Sequence, residues 1–89
     1  SFRHKGLRDF FMKGTYQGIP AQCAPKIERI LDLLDSAVEP TCLNIVGYKF
    51  HGLKGSRKGT YALWVTGNWR VTFRFDGENA IDVDLEDYH

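Results

Sequence analysis

With 89 residues, 43% of them hydrophobic and 26% charged, the chain is long enough for one domain with a core of its own and too short for two. Twelve Lys and Arg against eleven Asp and Glu give a formal charge of +1, so a strongly basic protein that coats nucleic acid by net charge alone is excluded. No apolar run is long enough to cross a bilayer, and no leader segment is visible ahead of a chain that opens on Ser1 and reads as having lost a few leading residues.

From His4 to Lys13, Leu7, Phe10 and Phe11 recur at helical spacing, and Gly14 follows as a stop signal, predicting a short first helix. A turn through Gly18-Ile19-Pro20 leads to Ile27, Ile30, Leu31, Leu34 and Val38, one apolar stripe of a second helix. Pro25 suits its first turn. Cys23 and Cys42 have neither CxxC spacing nor clustered partners, which fits reduced, structural thiols of a cytosolic protein.

Beyond a connector from Glu39 to Gly47 the period changes from 3.6 to 2. Tyr48 to Leu53 reads as a strand. Tyr61, Leu63 and Val65 alternate with Thr60, Ala62, Trp64 and Thr66, and Trp69, Val71, Phe73 and Phe75 alternate with Arg70, Thr72 and Arg74. Gly67-Asn68 is a tight-turn pair between these strands, and Asp76-Gly77-Glu78-Asn79 leads into another in which Ile81, Val83 and Leu85 point one way and Asp82, Asp84 and Glu86 the other. The expected fold is α+β, with two N-terminal helices packed on one face of a small antiparallel sheet and the other face left for function.

Charge is segregated along this pattern. Between Val46 and Arg74 lie six basic and no acidic side chains, namely Lys49, Lys54, Arg57, Lys58, Arg70 and Arg74, interleaved with Tyr48, Phe50, His51, Tyr61, Trp64 and Trp69. That mixture suits gripping RNA phosphates while stacking on bases, and it equally suits an ordinary amphipathic sheet whose outward residues are Lys and Arg. For Arg74, a cross-strand pair with an Asp of the last strand competes with an RNA contact. Trp64, on the solvent side of its strand, marks a partner or stacking surface. Asp82, Asp84 and Asp87 would be the candidates for a Mg²⁺ site, but alternation already explains the first two, and no carboxylate from another segment obviously joins them.

Three segments carry the chemistry: Lys49-Phe50-His51-Gly52-Leu53-Lys54-Gly55, Gly67-Asn68-Trp69-Arg70-Val71 and Glu86-Asp87-Tyr88-His89. Cutting RNA without a metal needs a base for the 2′-hydroxyl, cations for the phosphate oxygens and an acid for the departing 5′-oxygen, and these segments hold all three kinds of group.

The stretches YKFHGLKGSRKGTYAL and GNWRVTFRF and the terminal EDYH, in this order behind two helices, closely resemble the HigB-type (plasmid maintenance killer) toxins of the RelE/ParE superfamily over essentially the whole chain, residues 1–89. The resemblance implies a RelE-like, microbial-RNase-like fold and a toxin that enters the ribosomal decoding site and cuts messenger RNA there, without cofactor or metal. It further implies a cytoplasmic protein, away from membranes. An antitoxin with a helix-turn-helix domain (HigA-like) would hold it inactive, and operator DNA would be met only through that complex. Position by position, it implies catalytic roles for His51, Lys54, Arg70, Asp87, Tyr88 and His89. Lys49, Arg57, Lys58 and Arg74 would contact RNA or the ribosome; Trp69, though part of the motif, is better explained as core because it shares the face of Val71 and Phe73. Trp64 departs from the family pattern, which expects a small polar or basic residue. A ParE-like inhibitor that binds DNA gyrase shares the fold and is the competing class, and a purely structural co-repressor is a third.

Overall fold

The computed structural model describes residues 1–88. Its elements are helices α1 (Lys5–Lys13) and α2 (Ala24–Ser36) followed by strands β1 (His51–Gly52), β2 (Tyr61–Thr66), β3 (Trp69–Asp76) and β4 (Asn79–Asp87), with short 3-10 turns at Ala21–Cys23, Pro40–Leu43 and Gly55–Arg57. The strands form one antiparallel sheet in the order β1-β2-β3-β4, so the expected α+β architecture is present.

Helix α1 starts one residue later than its periodicity suggested because His4 caps it: His4 Nδ1 accepts the Leu7 N–H at 3.1 Å. It ends at Gly14, whose φ of 73° lets its N–H close on the Phe10 carbonyl. Pro25 lies in the first turn of α2, and Ala24, Ile27, Ile30, Leu31 and Leu34 form the buried stripe. Val38 does not belong to that stripe. The backbone becomes extended at Ala37, so Ala37 is buried and Val38 is exposed.

Against these helices the sheet sets Leu63, Val65, Val71, Phe73, Val83 and Leu85, all buried. Fully burying each side chain of this size contributes about 1.5–3 kcal/mol, which makes this layer the main support of the fold. The first residues of the chain join it as well. Phe2 pairs in parallel with Val83, and the Arg3 N–H donates to the Val83 carbonyl at 2.8 Å.

Three departures from simple alternation shape the open face. The strand expected over Tyr48–Leu53 shrinks to two residues because Lys49 takes a left-handed φ of 51°. Tyr48 still accepts the Trp64 N–H through its carbonyl at 2.7 Å, so the segment keeps to the edge of β2. A bulge in β2 places Trp64 opposite Arg70 and Thr66 opposite Trp69. A second bulge, in β4, puts Thr72 opposite Asp84 but Arg74 opposite Ile81, with Asp82 at φ 53°. This bulge overturns the expected grouping of Ile81 with Val83 and Leu85: Ile81 shares the Arg74 side, and Ala80 takes its place opposite Phe75.

Candidate active site

On the open face the register lines up Trp64, Arg70 and Glu86 in one row and His51, Ala62, Thr72 and Asp84 in the next. The first row ends at the β2–β3 turn, where the Tyr88 N–H donates to the Asn68 carbonyl at 2.6 Å and the Tyr88 ring lies against Arg70. Here an open cleft of about 340 Å³ is lined by Lys49, His51, Trp64, Trp69, Arg70 and Tyr88 together with the turn. Four of the expected functional residues, Lys49, His51, Arg70 and Tyr88, thus come together from three separated segments.

Arg70 is fixed from two sides. Its Nε donates to Glu86 Oε1 at 3.0 Å, and its guanidinium lies 4.1 Å from the centre of the Tyr88 ring. Glu86 also accepts from Arg57 through both oxygens, at 3.1 and 2.5 Å, and from the Thr72 hydroxyl at 3.4 Å. This bidentate bond from Arg57 holds the Glu86 carboxyl below the usual carboxylate range despite burial that raises it, and Arg70 adds to the effect. The Arg57 guanidinium is in turn raised, chiefly by the same hydrogen bond. Arg57, expected to reach a phosphate, is therefore engaged by a carboxylate that alternation had presented only as an outward-facing residue.

His51 is exposed, and its Nδ1 lies 2.8 Å from the Lys49 carbonyl, a bond that requires Nδ1 to carry the proton. In the neutral ring the lone pair then sits on Nε2. The left-handed turn at Lys49 brings that carbonyl to the ring.

Trp64 is not the bare aromatic its position in the strand predicted. It is half-buried, its indole N–H donates to the Gly67 carbonyl at 2.9 Å, and its ring carries two ammonium groups, Lys26 at 4.2 Å and Lys49 at 4.7 Å. Lys26, from α2, also lies over Tyr48 and donates to the Gly47 carbonyl. Burial, and then the charge of Lys49, hold its pKa below the ordinary value. Trp64 gathers cations at the edge of the cleft. Lys26 escaped the sequence reading because it belongs to a helix outside the basic stretch; its only local signal was a cation at the boundary of an apolar stripe.

The remaining expected residues lie apart. Lys54 and Lys58 are exposed on the loop around the Gly55–Arg57 turn, and Arg74 is on the open face farther along β3. Asp87 ends β4 opposite Trp69, which is half-buried against the core as well as lining the cleft. The role expected of His89 lies outside the described residues. Among the described residues no three His, Cys, Asp or Glu side chains are gathered as a metal site, Asp82 and Asp84 included.

A family model described as "RelE-like toxin of type II toxin-antitoxin system HigB" matches residues 1–89. The protein named Endoribonuclease HigB from Proteus vulgaris is 45% identical over 89 residues, covering 100% of this chain and 97% of that protein. The match is to HigB, which sets the ParE-like alternative aside. With cations, His51 and Tyr88 assembled in one cleft and the family match spanning the whole chain, this protein belongs to the HigB family of RelE-like toxins of type II toxin-antitoxin systems.

Proposed function

We propose that the chain is a ribosome-dependent endoribonuclease that stops translation by cutting messenger RNA through attack of a 2′-hydroxyl on the adjacent phosphate. The observation that carries this reading is the cleft in which Arg70, held over Tyr88 by Glu86, faces the same space as His51 and Lys49. With Nδ1–H committed to the Lys49 carbonyl, His51 presents Nε2 as the atom to take the 2′-proton. Arg70 stabilises the charge that grows on the phosphate oxygens, with Lys49 and the more distant Lys54 adding positive potential. The leaving 5′-oxygen receives its proton from the segment Asp87-Tyr88-His89. Protein cations supply the charge stabilisation, so the reaction needs no metal.

A cleft this open does not align a flexible RNA strand by itself, and the ribosome supplies that alignment, a contribution of about 7–11 kcal/mol when it is good. A HigA-like helix-turn-helix antitoxin restrains the toxin, and the site of action is the cytoplasm, where ribosomes are. No helix of the described residues is long and apolar enough to cross a membrane. Mapping messenger RNA ends after brief expression, alongside incubation of purified protein with programmed ribosomes and with naked RNA, tests the proposal. Cuts on translated messages and on programmed ribosomes, with poor cutting of naked RNA, are expected. Efficient EDTA-sensitive cutting of free RNA, or gyrase–DNA breaks with intact messages, would overturn it.

A further inference from the structure

A second cavity of about 170 Å³ opens on the same face of the sheet, between the Gly55–Arg57 turn and strands β3 and β4. Arg3, Arg57 and Arg74 reach it from three separate parts of the chain, with Ser56, Thr60 and Thr72 and, among the described residues, a single carboxylate, Asp82. Simple alternation would have neutralised Arg74 with an aspartate of β4. The β4 bulge prevents this by setting Ile81 opposite Arg74, and among the described residues neither Arg74 nor Arg3 takes part in an ion pair. The Arg74 guanidinium instead lies along the loop, its Nη2 3.7 Å from where a Cβ on Gly59 would stand.

The two cavities share a wall. Arg57 lines this one and Arg70 lines the cleft, and both donate to the same Glu86 carboxylate between them. A polymer with a phosphate at every nucleotide is the ligand that presents anions at two neighbouring places on one surface. Guanidiniums are the side chains best shaped to hold such groups, by paired N–H donors.

We propose that this cavity is a second phosphate subsite, binding an RNA backbone phosphate other than the one that is cut. The inference rests on the reading of the chain as an RNA-cutting toxin. Arg3 and Arg74 supply the fork, Ser56 and Thr60 donate through their hydroxyls, and Glu86 keeps the subsite separate from the reacting phosphate by holding Arg57 on one side and Arg70 on the other.

The test compares wild type, Arg3→Gln/Arg74→Gln, Arg74→Lys and Arg70→Ala in cleavage of message on programmed ribosomes, over a series of salt concentrations. Loss of a charge-assisted fork should raise KM about tenfold in the double variant, with the effect falling on KM more than on kcat. The slope of log affinity against log salt should flatten by about one. Arg74→Lys, which keeps the charge, should recover most of that slope. Among the described residues neither arginine is ion-paired, so the melting temperature should hold, and thermal unfolding checks it. A folded double variant with wild-type KM and salt slope overturns the subsite. If Arg70→Ala then still abolishes cutting, the nuclease reading stands without the subsite, whereas a wild type that cuts no message overturns both. Repeating the binding series on ribosomes without message identifies the strand: a slope change that persists assigns the phosphate to ribosomal RNA, and one that needs message assigns it to the strand being cut.

Discussion

Glu86→Ala removes the acceptor of four hydrogen bonds at once, two from Arg57, one from Arg70 and one from Thr72. Breaking a fully buried ion pair costs about 3–5 kcal/mol, whereas exposed pairs contribute about 0.2–1 kcal/mol. The side chains here lie between these limits, at 23% exposure for Glu86, 17% for Arg70 and 41% for Arg57, so the Arg57 share is discounted for solvent screening. About 2 kcal/mol of lost stability follows, or a fall in melting temperature of about 8–16 °C for a domain of this size. Cleavage should fall too, because Arg70 is no longer held over Tyr88. The pH dependence has a definite sign. The folded Glu86 carboxyl titrates below its ordinary value of 4.5, so its stabilisation is fully present above that pH and is lost as pH falls through the folded value. Thermal unfolding of wild type and Glu86→Gln across this range should show a gap that is constant near neutrality and closes in acid. A Glu86→Ala protein that melts within about 2 °C of wild type, or a gap that widens in acid, would refute the reasoning.

Arg70→Ala should lower ribosome-dependent cleavage by about 10²–10³, as loss of a preorganised charge stabiliser does. It should destabilise the fold by only about 1 kcal/mol, because Glu86 keeps Arg57; kinetics and melting together check this. Deleting Tyr88 and His89 removes an exposed ring and the backbone bond to Asn68, while the core residues of β4 end at Leu85. The deletion should therefore melt close to wild type yet no longer arrest growth, and killing by a well-folded deletion would contradict a catalytic terminus. Lys49→Gln should remove the like charge beside Lys26, so the Lys26 pKa, read by NMR titration of the side chain, should rise toward 10.5.

Two helices on an antiparallel sheet were legible in the chain because the cue is local. Apolar residues at 3.6 spacing in α2, and alternation through Leu63-Trp64-Val65 and Val71-Thr72-Phe73, state which face each element buries before any partner is known. The segments that meet at the cleft were legible too, since His51, Arg70 and Tyr88 stand in motifs distinctive enough to carry a family resemblance. Register and pairing belong to the tertiary structure. The β2 and β4 bulges change which residues face each other without a clear mark in the pattern, and they moved Ile81 to the other side and left Arg74 without its expected aspartate. Arg57 reads as a free cation in a loop, but the carboxylate that holds it is 29 residues away, and Lys26 reaches Trp64 from a different element altogether. Side-chain periodicity encodes burial, which each segment expresses alone. Ion pairs and cation–π contacts depend on distances of a few ångströms between segments, and these exist only after the core has packed.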